Sequence, residues 1–146
     1  MTTSIRGGCA CGAIRYECSN DPAFSWNCHC RDCQRASGSA YCGVSYVPKS
    51  AFSSVGEVCY YEVIAESGNS VSRGFCRTCG SPVFIVAELV PELMGIWAAS
   101  RDDPNSFQPS VNVWTASATN WGGVNGALPS YPKAPSADDM EIILEG

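Results

Sequence analysis

Three groups of cysteines could do chemistry in this sequence: Cys9-Ala-Cys11, Cys28-His-Cys30-Arg-Asp-Cys33 and Cys76-Arg-Thr-Cys79. In an extended segment residues i and i+2 point the same way, so Cys9 and Cys11 can share one partner. Cys76 and Cys79, followed by Gly80, form a knuckle whose turn brings both sulfurs to one side. Two plus two makes a tetrahedral four-sulfur zinc site, with Zn–S distances near ~2.3 Å. Such a site joins segments about 65 positions apart. Its binding energy is largely folding energy, on the order of 10 kcal/mol.

The stretch CHCRDC, residues 28–33, differs because it offers three sulfurs. Cys28 and Cys30 face one way if extended, a helical turn after them swings Cys33 to the same point, and His29 points away. Structural zinc is closed by four protein ligands, whereas catalytic zinc keeps one position open. Three thiolates weaken the Lewis acidity of the metal and suit a soft fourth ligand, a substrate thiol held as thiolate. A thiolate held this way adds to a small electrophile such as an aldehyde, and the reverse step breaks the C–S bond. Two alternatives stand beside this reading. Cys42, Cys59 or His29 could close the site, or two of the thiols could be joined as a disulfide.

Short strands must position these clusters. Ala13–Cys18 alternates, with Ile14, Tyr16 and Cys18 on one face. Further strands are expected over 40–47, 57–65, 71–76, 82–88, 93–99 and 111–114, with 66–70 as the turn of a hairpin. The one clear helix in the body is Arg31–Ala36, stopped by Ser37–Gly38. The segment 101–136 is rich in Pro, Gly, Asn and Ser and reads as long loops with one strand. The tail from Pro135 reads equally as a helical turn or a strand. The class is mostly β, and 146 residues suit a single domain.

The start, MTTSIRGGCACG, lacks an apolar signal region, and no run approaches a membrane span. A cytoplasmic setting keeps thiols reduced, so the seven clustered cysteines of the ten read as metal ligands rather than disulfides. Net charge is −5 with scattered Lys and Arg, so no basic stripe for nucleic acid is present. Neither a membrane nor a nucleic-acid partner is expected, and the oligomeric state is open.

GGCACGAIRY (7–16), CHCRDCQRASGS (28–39) and RGFCRTCGSPVF (73–84), in this order and spacing, resemble the glutathione-dependent formaldehyde-activating enzyme family, which is related to centromere protein V. GALPSYP (126–132), preceded by Trp121, extends the likeness, which covers about residues 6–132. The resemblance implies a β-tent fold of short antiparallel sheets with zinc knuckles and two zinc ions. It implies that Cys9, Cys11, Cys76 and Cys79 hold a structural zinc, and that Cys28, Cys30 and Cys33 hold a catalytic one. It also implies a carbon–sulfur lyase that handles adducts of a small-molecule thiol and an aldehyde, such as S-hydroxymethylglutathione. Family members often carry a histidine before the tryptophan of the C-terminal half. In PSVNVW (109–114) that position holds Asn112, which leaves His29 as the only imidazole.

Arg31, Arg35 and Arg73 flank the clusters, either to grip carboxylates of glutathione or to offset the charge of anionic zinc–thiolate centres. Arg35, Arg73 and Trp121 are the candidates for contact with the thiol substrate. Trp121 lies in the loop TNWGGVNG and is the best candidate for a cleft wall, ahead of Trp97 and Trp114, which suit a core. Asp32 reads as a helix-start charge, His29 as a packed or solvated histidine, and Cys18, Cys42 and Cys59 as small buried hydrophobes. The reading that competes with an enzyme is a zinc-stabilised binding module of the same fold. A third is a redox sensor that trades zinc for a disulfide at CHCRDC.

Overall fold

The computed structural model describes residues 4–146. Residues 1–3, part of the stretch read for a signal region, lie outside the described residues. The strands are β1 (Ile5–Gly8), β2 (Arg15–Cys18), β3 (Phe24–Cys28), β4 (Cys42–Pro48), β5 (Phe52–Val55), β6 (Val58–Ile64), β7 (Ser70–Cys76), β8 (Pro82–Ala87), β9 (Leu93–Trp97) and β10 (Val111–Val113). The helices are α1 (Arg31–Ser37) and α2 (Ala137–Glu145). The molecule is therefore mostly β, as expected.

A three-stranded sheet in the order β1-β2-β5 packs on a seven-stranded sheet in the order β10-β3-β4-β9-β8-β7-β6. Strand alternation sorts the large sheet into two faces. Phe84, Val47 and Ile96 meet Ile5, Ile14 and Tyr16 of the small sheet. On the opposite face Trp26, Cys28, Val44, Tyr46 and Ile85 form a second core, which Met140 and Ile143 of α2 join. The tail left undecided above is thus a helix. Its start is a capping box: Ser136 accepts from the Asp139 N–H, and the Asp139 carboxylate accepts from the Ser136 N–H.

Strand β3 was not expected, although FSWNC alternates. Its polar residues do not face water: the hydroxyls of Ser25 and Ser45 lie 2.7 Å apart in the core, and Asn27 donates to Asn112 at 3.3 Å. Among the described residues, the pairings between named strands are antiparallel except one. β10 runs parallel to β3, with Asn112 opposite Asn27 and Val113 opposite Cys28. The expected strand through Trp114 stops at Val113 because Trp114 turns into the left-handed region, with φ of 60°.

Asn112 is fully buried and works as a junction. Its amide donates to the Asn125 carbonyl at 2.9 Å and the Ser130 hydroxyl at 3.1 Å, while its backbone exchanges bonds with Pro129 and Tyr131. It therefore ties the returning chain to the sheet that carries Cys28. Asn112→Ala should leave Asn27 short of its acceptor and lower stability by about 1–3 kcal/mol. A shift of the urea unfolding midpoint, with an unchanged slope, measures this.

Candidate metal centres and the adjoining cavity

The sulfurs of Cys9, Cys11, Cys76 and Cys79 all lie within 4.8 Å of one another, and so do those of Cys28, Cys30 and Cys33. Local backbone geometry does the aiming. In the first cluster, Cys9 directly follows β1 and its sulfur accepts the Ile14 N–H at 3.2 Å. The Cys76 sulfur accepts the Thr78 N–H at 3.3 Å. Gly80 closes this knuckle with φ of 76°, a conformation that favours glycine. Ser81 pins both halves together: its hydroxyl accepts the Ala10 N–H at 3.0 Å and sits 3.2 Å from the Cys79 sulfur.

Does this set fit a metal? A tetrahedron with metal–sulfur bonds of ~2.3 Å has sulfur–sulfur edges of ~3.8 Å. Cys9 to Cys11 measures 3.6 Å, and Cys11 to Cys76 measures 3.7 Å. Four soft donors at that spacing, on a chain whose cysteines form no disulfide among the described residues, could hold one ion. Cys79 releases its proton most readily: hydrogen bonds from the Ser81 hydroxyl and N–H, with others from the loop, draw its thiol down to about 5.

The second cluster forms where β3 becomes α1. Cys28 is the last residue of β3 and Cys30 is the N-cap of α1, extended at φ −65° and ψ 153°, with its sulfur accepting the Cys33 N–H at 3.2 Å. Cys33 then enters from the first turn. Hydrogen bonds from Cys28 and Cys30, the neighbouring Cys42, and the Arg73 cation hold Cys33 well below the ordinary thiol range despite its burial. Arg73 reaches across from β7, its guanidinium 3.3 Å from the Cys33 sulfur and 3.7 Å from that of Cys30. Gln34 locks the helix in place, donating to the His29 and Ser117 carbonyls at 2.8 and 2.9 Å.

The converging set has three members. Cys42 lies opposite Cys28 across the β3–β4 pair and beside Cys33, but its sulfur is outside that set. His29 is buried against Tyr41, with ring centroids 4.9 Å apart, and burial lowers its pKa so that it stays neutral near pH 7. Cys59 lies half-buried in β6, apart from both clusters.

The three sulfurs open onto a cavity of about 180 Å³. Trp26, Val44, Ile85, Ala87 and Trp114 supply its apolar wall, and Arg31, Asp32, Glu66 and Asn69 its polar lining. Tyr46 also lines it. Burial, aided by the nearby Cys28 and Cys33 sulfurs, pushes that phenol far up, so it keeps its proton.

The structure distributes the other expected contacts differently. Arg73 borders the cavity, while Arg35 lies beyond it, in a neighbouring groove shared with Arg73, Tyr61 and Phe75. Trp121 is 72% exposed and lines neither, because its Gly-rich loop carries it outward. The tryptophan at the cavity is Trp114, and Trp97 packs in the core, its indole N–H donating to the Phe84 carbonyl at 3.2 Å. Asp32 sits in the first turn of α1, as a helix-start charge should. Trp26, Tyr46 and Ser81 had no place in the expected site. The alternation Cys42, Val44, Tyr46 was the available signal for Tyr46, since it shares a face with a cysteine.

The sequence profile of the glutathione-dependent formaldehyde-activating enzyme family matches residues 4–117. The chain belongs to this family. A crystal structure of a Rhodobacter sphaeroides protein resembles it at 22% identity, with a TM-score of 0.53 over 86% of this chain and 98% of that one. That likeness supports the fold of this family member. No match is found among curated proteins. Among the described residues no helix is long and apolar enough to cross a membrane.

The four-sulfur cluster of this formaldehyde-activating family member holds the β1–β2 turn to the β7–β8 turn. Removing one sulfur, as in Cys79→Ser, should lower the melting midpoint by roughly 10 °C or more, because metal-linked stability of a few kcal/mol is lost. The measurement is thermal unfolding of metal-loaded wild type and variant. An added chelator should bring wild type close to the variant.

Proposed function

We propose that this chain is a zinc-dependent carbon–sulfur lyase that acts on adducts of a thiol, such as glutathione, with an aldehyde. The observation that supports it most directly is a tripod of sulfurs, Cys28, Cys30 and Cys33, open to a cavity rather than closed by a fourth side chain. On this reading two zinc ions are bound, a structural one by Cys9, Cys11, Cys76 and Cys79 and a catalytic one by the tripod. When bound there, the second ion supplies a Lewis-acid position that stabilises the substrate sulfur as thiolate.

The chain's own residues do the rest. Arg73 faces the tripod from β7, offsets its negative charge and favours the ionised form of Cys33. The apolar wall excludes water from the reacting carbon. Tyr46, held protonated by burial at the cavity wall, donates a hydrogen bond to the adduct oxygen. In cleavage the C–S bond breaks with its electron pair left on sulfur. The oxygen forms the carbonyl π bond, and the hydroxyl proton departs to solvent. In the reverse direction the thiolate attacks the carbonyl carbon, and the Tyr46 hydrogen bond stabilises the oxyanion. His29 takes no part, being packed on Tyr41.

Metal analysis should find two zinc ions per chain. Cys30→Ser should lose one of them and all adduct turnover while its circular dichroism stays native. Tyr46→Phe should keep both ions and lower kcat about 10²-fold, as for loss of one oxyanion donor. Exchange between free thiol, aldehyde and adduct, followed by NMR, is the assay. Full exchange activity in Cys30→Ser would refute the reading.

A further inference from the structure

A one-carbon aldehyde does not need the cavity that stands beside the tripod. We propose that the aldehyde half of the substrate carries an apolar group about the size of one aromatic ring or a branched alkyl chain, seated against Trp26, Val44, Ile85, Ala87 and Trp114. This rests on the thiol–aldehyde reading above and names its substrate class.

Three observations support it. The first is size and polarity. The cavity holds about 180 Å³, and an apolar cavity of about 150 Å³ stays dry and takes up benzene. Val44 and Ile85 line this space from within the buried core. Along the apolar wall water finds few partners, whereas a phenyl or isobutyl group packs against it.

The second is charge. The cations near the cavity are already engaged: Arg73 with the sulfurs of Cys30 and Cys33, Arg31 with the Gln34 side chain, and Lys133 with Glu66 at 2.9 Å. The lining adds two carboxylates, Asp32 and Glu66. Asp32 and Glu66 balance Arg31, whose partner is a neutral amide, and Lys133, so the space offers an aldehyde carboxylate no net positive charge and an uncharged group is favoured. The thiol half need not enter this space, because the groove with Arg35 runs on the far side of Arg73.

The third is strain. Trp114 is the one non-glycine residue with positive φ among the described residues. A bulky side chain in that conformation is an outlier that surrounding structure must hold. Here the Thr115 N–H and hydroxyl both donate to the Tyr131 carbonyl, at 3.1 and 3.2 Å, and the Lys133 ammonium lies 5.6 Å from the indole centroid. The strained backbone turns the indole onto the cavity rather than along the strand direction of β10.

The test uses zinc-loaded protein with two readouts. Turnover of the glutathione adduct of benzaldehyde should exceed that of the formaldehyde adduct by about 10-fold or more in kcat/KM, in the range one well-filled apolar pocket supplies. Benzyl alcohol, which cannot react, should change the fluorescence of Trp26 and Trp114, and ethanol at equal concentration should not. Ala87→Leu narrows the cavity, so with native circular dichroism and zinc content it should erase both preferences. If the formaldehyde adduct turns over at least as well and benzyl alcohol behaves like ethanol, the apolar-aldehyde proposal is overturned while the lyase reading stands. If neither adduct turns over yet benzyl alcohol binds wild type and not Ala87→Leu, the lyase reading fails and the apolar preference of the cavity is supported.

Discussion

The site depends on one change of backbone direction. β3 ends at Cys28, the chain stays extended through Cys30, and α1 begins immediately after it. A strand alone would send Cys33 to the face opposite Cys28 and Cys30, and a helix alone would spread the three around its axis. Only the junction lets residues 28, 30 and 33 meet. The junction is held from outside by bonds that have nothing to do with sulfur chemistry. Gln34 anchors the helix, Gly38 ends it with φ of 68°, and the His29 N–H reaches Val113 at 3.0 Å.

Charge is the second constraint. Gathering several thiolates in a largely buried place is unfavourable unless a cation compensates. The two clusters solve this differently. The four-sulfur cluster sits near the surface, with Cys11 and Cys79 exposed, and relies on backbone N–H groups and Ser81. The three-sulfur cluster is deeper and borrows a guanidinium from β7. Arg73 is therefore better understood as part of the cluster's electrostatics than as a free hand for substrate, and this leaves the cavity beside it short of positive charge.

What could be read from the sequence follows from how local each feature is. Cysteine spacing states a local geometry, so both sulfur clusters, the short helix after Cys30 and most hairpin strands were legible. The family resemblance rested on the same spacings. The cavity was not legible, because its wall is assembled from β3, β4, β8 and the turn after β10, and sheet order decides which residues face one another. Tyr46 and Trp114 illustrate this: nothing near them in sequence marks them, and Trp121 carries the more suggestive loop. β3 was hidden for another reason. Its serine and asparagine satisfy one another inside the fold, so residues that ordinarily mark solvent mark a polar seam between strands instead.

The parallel pairing of β10 with β3 has a consequence for how the molecule assembles. Asn27 and Asn112 are 85 positions apart, so the entropy of closing the intervening chain opposes their ladder. Contacts of such long range make folding slow compared with a helical protein of equal length. Slow closure lengthens the time for which the thiols of a newly made chain are unburied, so reducing conditions matter more then than for the finished molecule.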